Sequence, residues 1–267
     1  FNPNNSNQIA FIREETDPSK MNIKMEICTF DFSTGQLKIL ADNAFYDVQW
    51  SSKGWLLYVG NDYNLYKIPA TGGTPVKLTN TGPYNNHPRW SPNGTKISFY
   101  DGHGQNSPYV IIDENGQRLD TLPGGAQSWF SDSIMVSTEF NFNNSYWRLG
   151  YYNLNDESFI KKDEFYSNMS SRFINILSLY LFKDKTRMFW NSNYSIAISS
   201  NFSRTVLKKS SSSWWYDHGA SLSPDEKYVI FERTDIEKIN ECKRYSKTGI
   251  YFMNIDGSNE RELKFPE

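Results

Sequence analysis

The chain has 267 residues, 16% of them aromatic, and a formal net charge of −2 at pH 7. That balance excludes the basic field that draws proteins to nucleic acid or to an anionic membrane, and no apolar stretch approaches the roughly 18 residues of a membrane-spanning helix. Two cysteines, Cys28 and Cys242, are too few for a disulfide scaffold and lack metal-ligand spacing, so both are expected to be unpaired.

The apolar runs favour Val, Ile, Tyr, Phe and Trp between Gly, Asn, Asp and Pro, the chemistry of strands joined by tight turns. In chain order, Phe1 opens a unit with strands expected at Gln8 to Arg13, Met25 to Phe32 and Gln36 to Leu40. Trp50 in VQWSSKGWLLYVG, Trp90 in PRWSPNGTKISFYDG, Phe130 in SWFSDSIMVSTEF, Leu181 in YLFKDKTRMFWN and Leu222 in SLSPDEKYVIFER each stand before a turn and an apolar strand. The interval between these anchors is about 40 to 50 residues, the length of a four-stranded antiparallel unit. Within a unit a second strand follows, then a tight Gly or Asn turn such as Asn115-Gly116 or Asp256-Gly257, then a more polar last strand. Asn175 to Phe182 (NILSLYLF) is short for a helix and fits a buried strand as well. Middle strands such as Tyr228 to Phe231 are apolar on both faces, as sheets covered on both sides require.

These features predict an all-β fold, a six-bladed β-propeller of four-stranded antiparallel blades forming one domain over 1–267, with units near 1–43, 44–82, 83–125, 126–167, 168–213 and 214–267. The stretches HPRWSPNGTKISFY, GASLSPDEKYVIFE and GIYFMNIDGSNERELKF resemble the repeat of TolB-like propellers, with its Trp-Ser-Pro-Asp-Gly turn and later Met-Asp-x-Asp-Gly turn. The resemblance covers nearly the whole chain. It is eroded in the fourth and fifth units, where Asp132 stands for Pro and Phe182-Lys183 for Ser-Pro. It implies an extracytoplasmic bacterial setting, periplasmic or outer-membrane associated, and association with envelope proteins. Unit one lacks most of a first strand, so natural sequence before Phe1 is expected to complete it, the alternative being an open inner edge.

Propeller topology places inter-blade connections and the loops between second and third strands on one face. The aromatic and ionisable residues gather there: Phe45-Tyr46-Asp47 entering unit two, Tyr84-Asn85-Asn86-His87 entering unit three, Trp214-Trp215-Tyr216-Asp217-His218 entering unit six, and His103 in the Asp101 to Ser107 loop. A ligand-binding rim would take stacking from Tyr46, Tyr84, Trp215 and Tyr216 and hydrogen bonds from Asp47, His87, His103, Asp217 and His218. The plainer reading has the aromatics packing between blades and the polar groups capping turns. The histidines have no metal-ligand spacing, and neither a metal nor another cofactor is expected. Thr234 to Thr248 reads as a long loop on the same face, either solvated or a partner-recognition element.

There is no Gly-x-Ser-x-Gly elbow, Walker-type loop or His-Glu-x-x-His helix. Asp256-Gly257-Ser258-Asn259 lacks the spaced ligands of a calcium loop and reads as a hairpin turn. The function expected is therefore a non-enzymatic, monomeric recognition module for a protein or a small polar or carbohydrate ligand. The alternatives are a carbohydrate-active lyase or hydrolase using the His/Asp rim, and a propeller domain detached from a larger peptidase-like chain.

Overall fold

The computed structural model describes residues 1–17, 22–80, 85–102, 108–122, 125–141, 146–166, 176–184, 187–192, 195–200, 203–209, 215–240 and 243–265. Strands dominate, each pairing antiparallel with the next in sequence. The first sheet has three strands, β1 (Gln8–Asp17), β2 (Asn22–Asp31) and β3 (Gln36–Ala41). The second comprises β4 (Ala44–Trp50), β5 (Trp55–Gly60), β6 (Leu65–Pro69) and β7 (Val76–Lys77), and the third β8 (Asn85–Trp90), β9 (Lys96–Asp101), β10 (Tyr109–Asp113) and β11 (Arg118–Leu122). The fourth follows with β12 (Gly125–Trp129), β13 (Ile134–Asn141), β14 (Tyr146–Asn153) and β15 (Ser158–Tyr166). The fifth is β16 (Ile176–Leu181), β17 (Arg187–Ser192), β18 (Ser195–Ser200) and β19 (Ser203–Lys209), and the sixth β20 (Trp215–Leu222), β21 (Tyr228–Asn240), β22 (Lys243–Asn254) and β23 (Arg261–Leu263).

Among the described residues there are thus five four-stranded blades beside a three-stranded first sheet, where the repeat predicts six blades with the first short of its opening strand. The difference lies at the start: Asn2-Pro3-Asn4-Asn5-Ser6-Asn7 holds no apolar residue to bury and folds as turns, with an isolated bridge between Asn2 and Asn5. Two other expectations are corrected. Thr234 to Thr248 is not a free loop, because β21 and β22 continue their ladder through Arg233–Gly249 to Lys238–Arg244. Phe45 to Asp47, His87 and Trp215 to His218 are residues of β4, β8 and β20 and not of the connections before them. The ambiguous Asn175 to Phe182 stretch contains strand β16.

The recurrent turn has one cause. In every sheet the residue after the sequence anchor donates its backbone N–H across the turn to the start of the next strand: Asn2 to Gln8, Ser51 to Trp55, Ser91 to Lys96, Ser131 to Ile134, Phe182 to Arg187 and Ser223 to Tyr228. Where that residue is Ser, its hydroxyl oxygen accepts further backbone N–H groups inside the turn, from Trp55, Lys96, Ile134 and Tyr228 respectively. The eroded units keep the same backbone bond and add side-chain contacts. Asp132, in the place of Pro, accepts from the Asn93 N–H of the preceding sheet at 2.9 Å, and Asp184 accepts from the Arg187 N–H at 3.1 Å.

The chain divides into two compact units, one of Phe1–Glu139 with Tyr152–Ser158 and the other of Phe140–Tyr151 with Phe159–Phe265. In the first, β5 explains why middle strands are apolar on both faces. Its Leu56 and Tyr58 pack with Ile27, Ala44 and Ile68 against the first sheet, while Leu57 and Val59 pack with Trp90, Ile97, Phe99 and Val110 of the third. Each such side chain contributes about 1.5–3 kcal/mol by leaving water. In the second unit, Phe182, Ala220, Val229, Phe231 and Met253 form the corresponding layer. Outer strands bury less: Ile39, Val76, Leu119 and Ile160 are exposed.

Candidate functional site

The first strands of the four-stranded blades share an irregularity. The ladder slips in β4 around Asp47, in β8 between Asn86 and Arg89, in β12 between Ala126 and Ser128, in β16 between Ile176 and Ser178, and in β20 between His218 and Ser221. A bulge re-aims the side chain at the unpaired position. In β4 and β8 those positions include Asp47 and His87, each three residues before its Trp anchor, and both have left-handed backbones, φ 54° and 49°. Left-handed geometry costs a non-glycine residue about 1–2 kcal/mol, so the surrounding contacts must hold it.

They do so by joining the two bulges. An Asp47 carboxylate oxygen accepts the His87 backbone N–H at 3.2 Å and lies 3.3 Å from the His87 Nδ1. Burial would raise the Asp47 pKa, but the hydrogen bonds from His87 and the nearby charges of His87 and Arg89 outweigh it and hold the carboxyl below its ordinary range. Arg89 is buried, whereas the Asp47 and His87 side chains keep 23% and 44% of their surface exposed, so the pair is open to a ligand.

Aromatic residues frame it. The Tyr46 hydroxyl donates to the Asn85 carbonyl at 3.0 Å and also contacts the Asn86 side-chain oxygen, and burial pushes its pKa upward, helped by the Asp47 charge. The Tyr109 hydroxyl lies 3.5 Å from the His87 carbonyl oxygen, Tyr100 packs edge-on against Tyr109 at 4.5 Å, and the His87 ring meets Tyr100 edge-on at 6.2 Å. Beneath them a polar chain anchors the start of β8: the buried Asn85 amide donates to the Thr79 hydroxyl at 2.9 Å, and that oxygen also accepts the Leu65 N–H.

Of the residues expected at the rim, the structure brings together Tyr46, Asp47 and His87. Tyr84 and His103 lie outside the described residues. Trp215, Tyr216, Asp217 and His218 form the first half of β20, in the second unit, directly before its bulge. Sequence reasoning missed Arg89, Tyr100 and Tyr109 as members of the cluster; the signal was the alternation in Arg89-Trp90 and in β9 and β10, which turns one side chain of each pair toward the same neighbours. Among the described residues no three His, Cys, Asp or Glu side chains converge as metal ligands, and no helix is long and apolar enough to cross a membrane.

No protein-family model and no curated protein sequence matches the chain. Solved structures do. A protein assigned as TolB from Agrobacterium tumefaciens superposes with a TM-score of 0.62 at 16% identity, over 94% of this chain and 88% of that one. TolB from Acinetobacter baumannii gives 0.64 at 17% identity, over 94% of this chain and 62% of that one. The fold is a TolB-like β-propeller. An oligogalacturonate lyase in complex with manganese is also similar, with a TM-score of 0.53 at 12% identity over 90% of this chain and 75% of that one. At these identities the likeness concerns fold and carries no activity across.

Proposed function

We propose that this chain is a recognition module, a single propeller domain of the bacterial cell envelope that binds a protein or small polar ligand where Tyr46, Asp47 and His87 meet. The observation that carries this reading is the coupled pair of bulges. Two strained residues from neighbouring blades, about 40 positions apart in sequence, hold each other in place while leaving charged atoms accessible. Preformed polar groups bordered by aromatic rings suit recognition without rearrangement. Trp215 to His218 hold the corresponding repeat position in the sixth sheet, within the second unit, and with Tyr84 and His103 they are candidate binding residues by their place in the repeat alone. The extracytoplasmic location rests on likeness to TolB structures.

The test is a thermal-shift and calorimetric screen of envelope-protein peptides and uronate and neutral glycans against the wild type, Asp47→Asn and His87→Gln. A ligand of this site at a hundred times its Kd stabilises the fold by about 2.7 kcal/mol, and either substitution abolishes most of that gain. Ligands whose binding ignores both substitutions would remove the site from the proposal.

The enzymatic reading is favoured by one detail. Asp47 orients His87 through Nδ1, the arrangement that leaves Nε2 available as a base or metal ligand. Incubation with oligogalacturonate, with and without manganese, distinguishes it: a lyase generates a conjugated, ultraviolet-absorbing product, and a binding module leaves the substrate unchanged.

A further inference from the structure

Where the first and second sheets meet at their turn ends, a cleft of about 420 Å³ opens within the first unit. It is bounded by the end of β2, the start of β3, Trp50 at the end of β4, and Ala70 and Thr71 after β6. Trp50 stands three residues, about 10 Å of strand, beyond Asp47, so this is not the site described above.

The next junction shows why the space exists. Between the second and third sheets, Lys67 donates to the Glu114 carbonyl at 2.5 Å and lies over the Trp55 ring, and Lys53 reaches the Glu114 carboxylate at 2.9 Å. The ladders align Gln8–Asp31 with Trp55–Pro69, which puts Thr29 in the place of Lys67 and Gln8 in that of Trp55. In the turn, Asn4 bonds the Ser52 carbonyl where the next sheet has a lysine reaching across. Three bulky or long fillers are replaced by smaller polar residues.

The lining is already ordered. Gln8 donates to Asp31 at 2.8 Å and accepts from Asn2 at 2.7 Å, while the other Asp31 oxygen accepts from Ser33, so the planes of amide and carboxylate are set. Phe30 and Trp50 supply partly exposed aromatic faces, and Lys38, bonded to the Thr71 carbonyl, offsets the charge of Asp31. The Gln36 side chain makes no hydrogen bond among the described residues. An aromatic wall, fixed planar hydrogen-bonding groups and no net charge match one kind of molecule: a neutral ring with an apolar face and adjacent hydroxyls. We infer that the cleft binds a neutral hexopyranose, free or as the end of a glycan, with its C–H face on Trp50 or Phe30 and a vicinal diol on Gln8 and Asp31. The volume lies in the range of small-molecule sites.

The experiment is isothermal titration of the full chain with glucose, galactose and N-acetylglucosamine and with maltotriose and chitotriose. Thr29→Lys installs the filler of the adjacent junction, Gln36→Ala removes a lining amide at the surface, and Leu119→Ser, at an exposed position of β11 outside both sites, serves as control. At least one sugar binds the wild type. Binding weakens at least about tenfold, or about 1.4 kcal/mol, in Thr29→Lys and several-fold in Gln36→Ala, and is unchanged in Leu119→Ser. Binding of monosaccharides identifies a free sugar as the ligand; binding of the trisaccharides alone identifies a glycan. The proposal is overturned if no neutral sugar binds at about 50 mM, a level at which even millimolar sites fill. Undiminished affinity in both cleft variants, or an equal loss of binding in Leu119→Ser, also overturns it. If Thr29→Lys does not fold by circular dichroism, Gln36→Ala decides.

Discussion

At the residue scale, the same backbone conformation is occupied by different side chains for different reasons. Gly54, Gly94 and Glu226 hold the equivalent turn position, with φ of 80°, 67° and 60° and the same bond back to Ser51, Ser91 or Ser223. Glycine takes this region freely, whereas glutamate is strained there. Glu226 recovers the difference through its carboxylate, which accepts the Lys183 N–H and lies 3.8 Å from Arg187. Substituting Gly94→Ala is therefore expected to destabilise the protein by about 1–2 kcal/mol, the more so because a new Cβ would stand 3.3 Å from Lys53 and Ser52 side chains. Glu226→Gly, in which relieved strain and lost bonds oppose each other, stays within about 0.5 kcal/mol of wild type. Urea unfolding of both variants measures the contrast, and an equal loss in the two would refute the argument.

At the element scale, the turn before the second strand behaves as one device. Ser91 accepts the Lys96 N–H at 3.0 Å and donates to Asn93 at 2.9 Å, while Asn93 accepts from Thr95. Ser223 and Asp225 repeat this arrangement with Tyr228 and Lys227. Removing the hydroxyl leaves backbone donors in a tight turn without a partner, so Ser91→Ala costs about 1–2 kcal/mol. Guanidinium titration should show a lower midpoint with an unchanged slope; an unaltered midpoint means the backbone bond alone holds the turn. The same scale explains the misread segment in the sixth sheet. Thr234 to Thr248 carries mixed charge and reads as loop, but alternating residues on two adjacent runs satisfy each other's backbone groups as a hairpin without needing a buried face.

At the scale of the whole molecule, carboxylates recur in these turns and share one direction of shift. Hydrogen bonds from Ser33 and Gln8 bring Asp31 down to about 2. For Asp62, burial opposes ionisation, yet bonds from Lys77, Asn64 and Tyr66 prevail and bring it to about 2 as well. Asp156, Asp225 and Asp256 are lowered by similar contacts. Because the folded pKa values lie below the ordinary 3.8, the unfolded chain binds more protons in that window and stability rises with pH there. The melting temperature should be level above about pH 5, fall between about pH 4 and pH 2, and fall less in Asp62→Asn. A melting temperature that is flat over this interval would contradict the assignment.

Strand positions, turn chemistry and the propeller class were legible in the order of residues, since period-two patterning and Ser, Asn and Gly turns act over a few positions of chain. Even the degraded units, anchored at Phe130 and Leu181, kept their spacing. What depended on tertiary structure was everything set by one sheet lying on another. The pairing of Asp47 with His87 needs two bulges in register across blades, and the cleft beside Trp50 is a volume left by Thr29 and Gln8 where the neighbouring junction holds Lys67 and Trp55. Sequence pattern reports which face a side chain takes on its own strand, but distance across a stacked interface follows from packing of residues far apart in the chain, and only coordinates carry that.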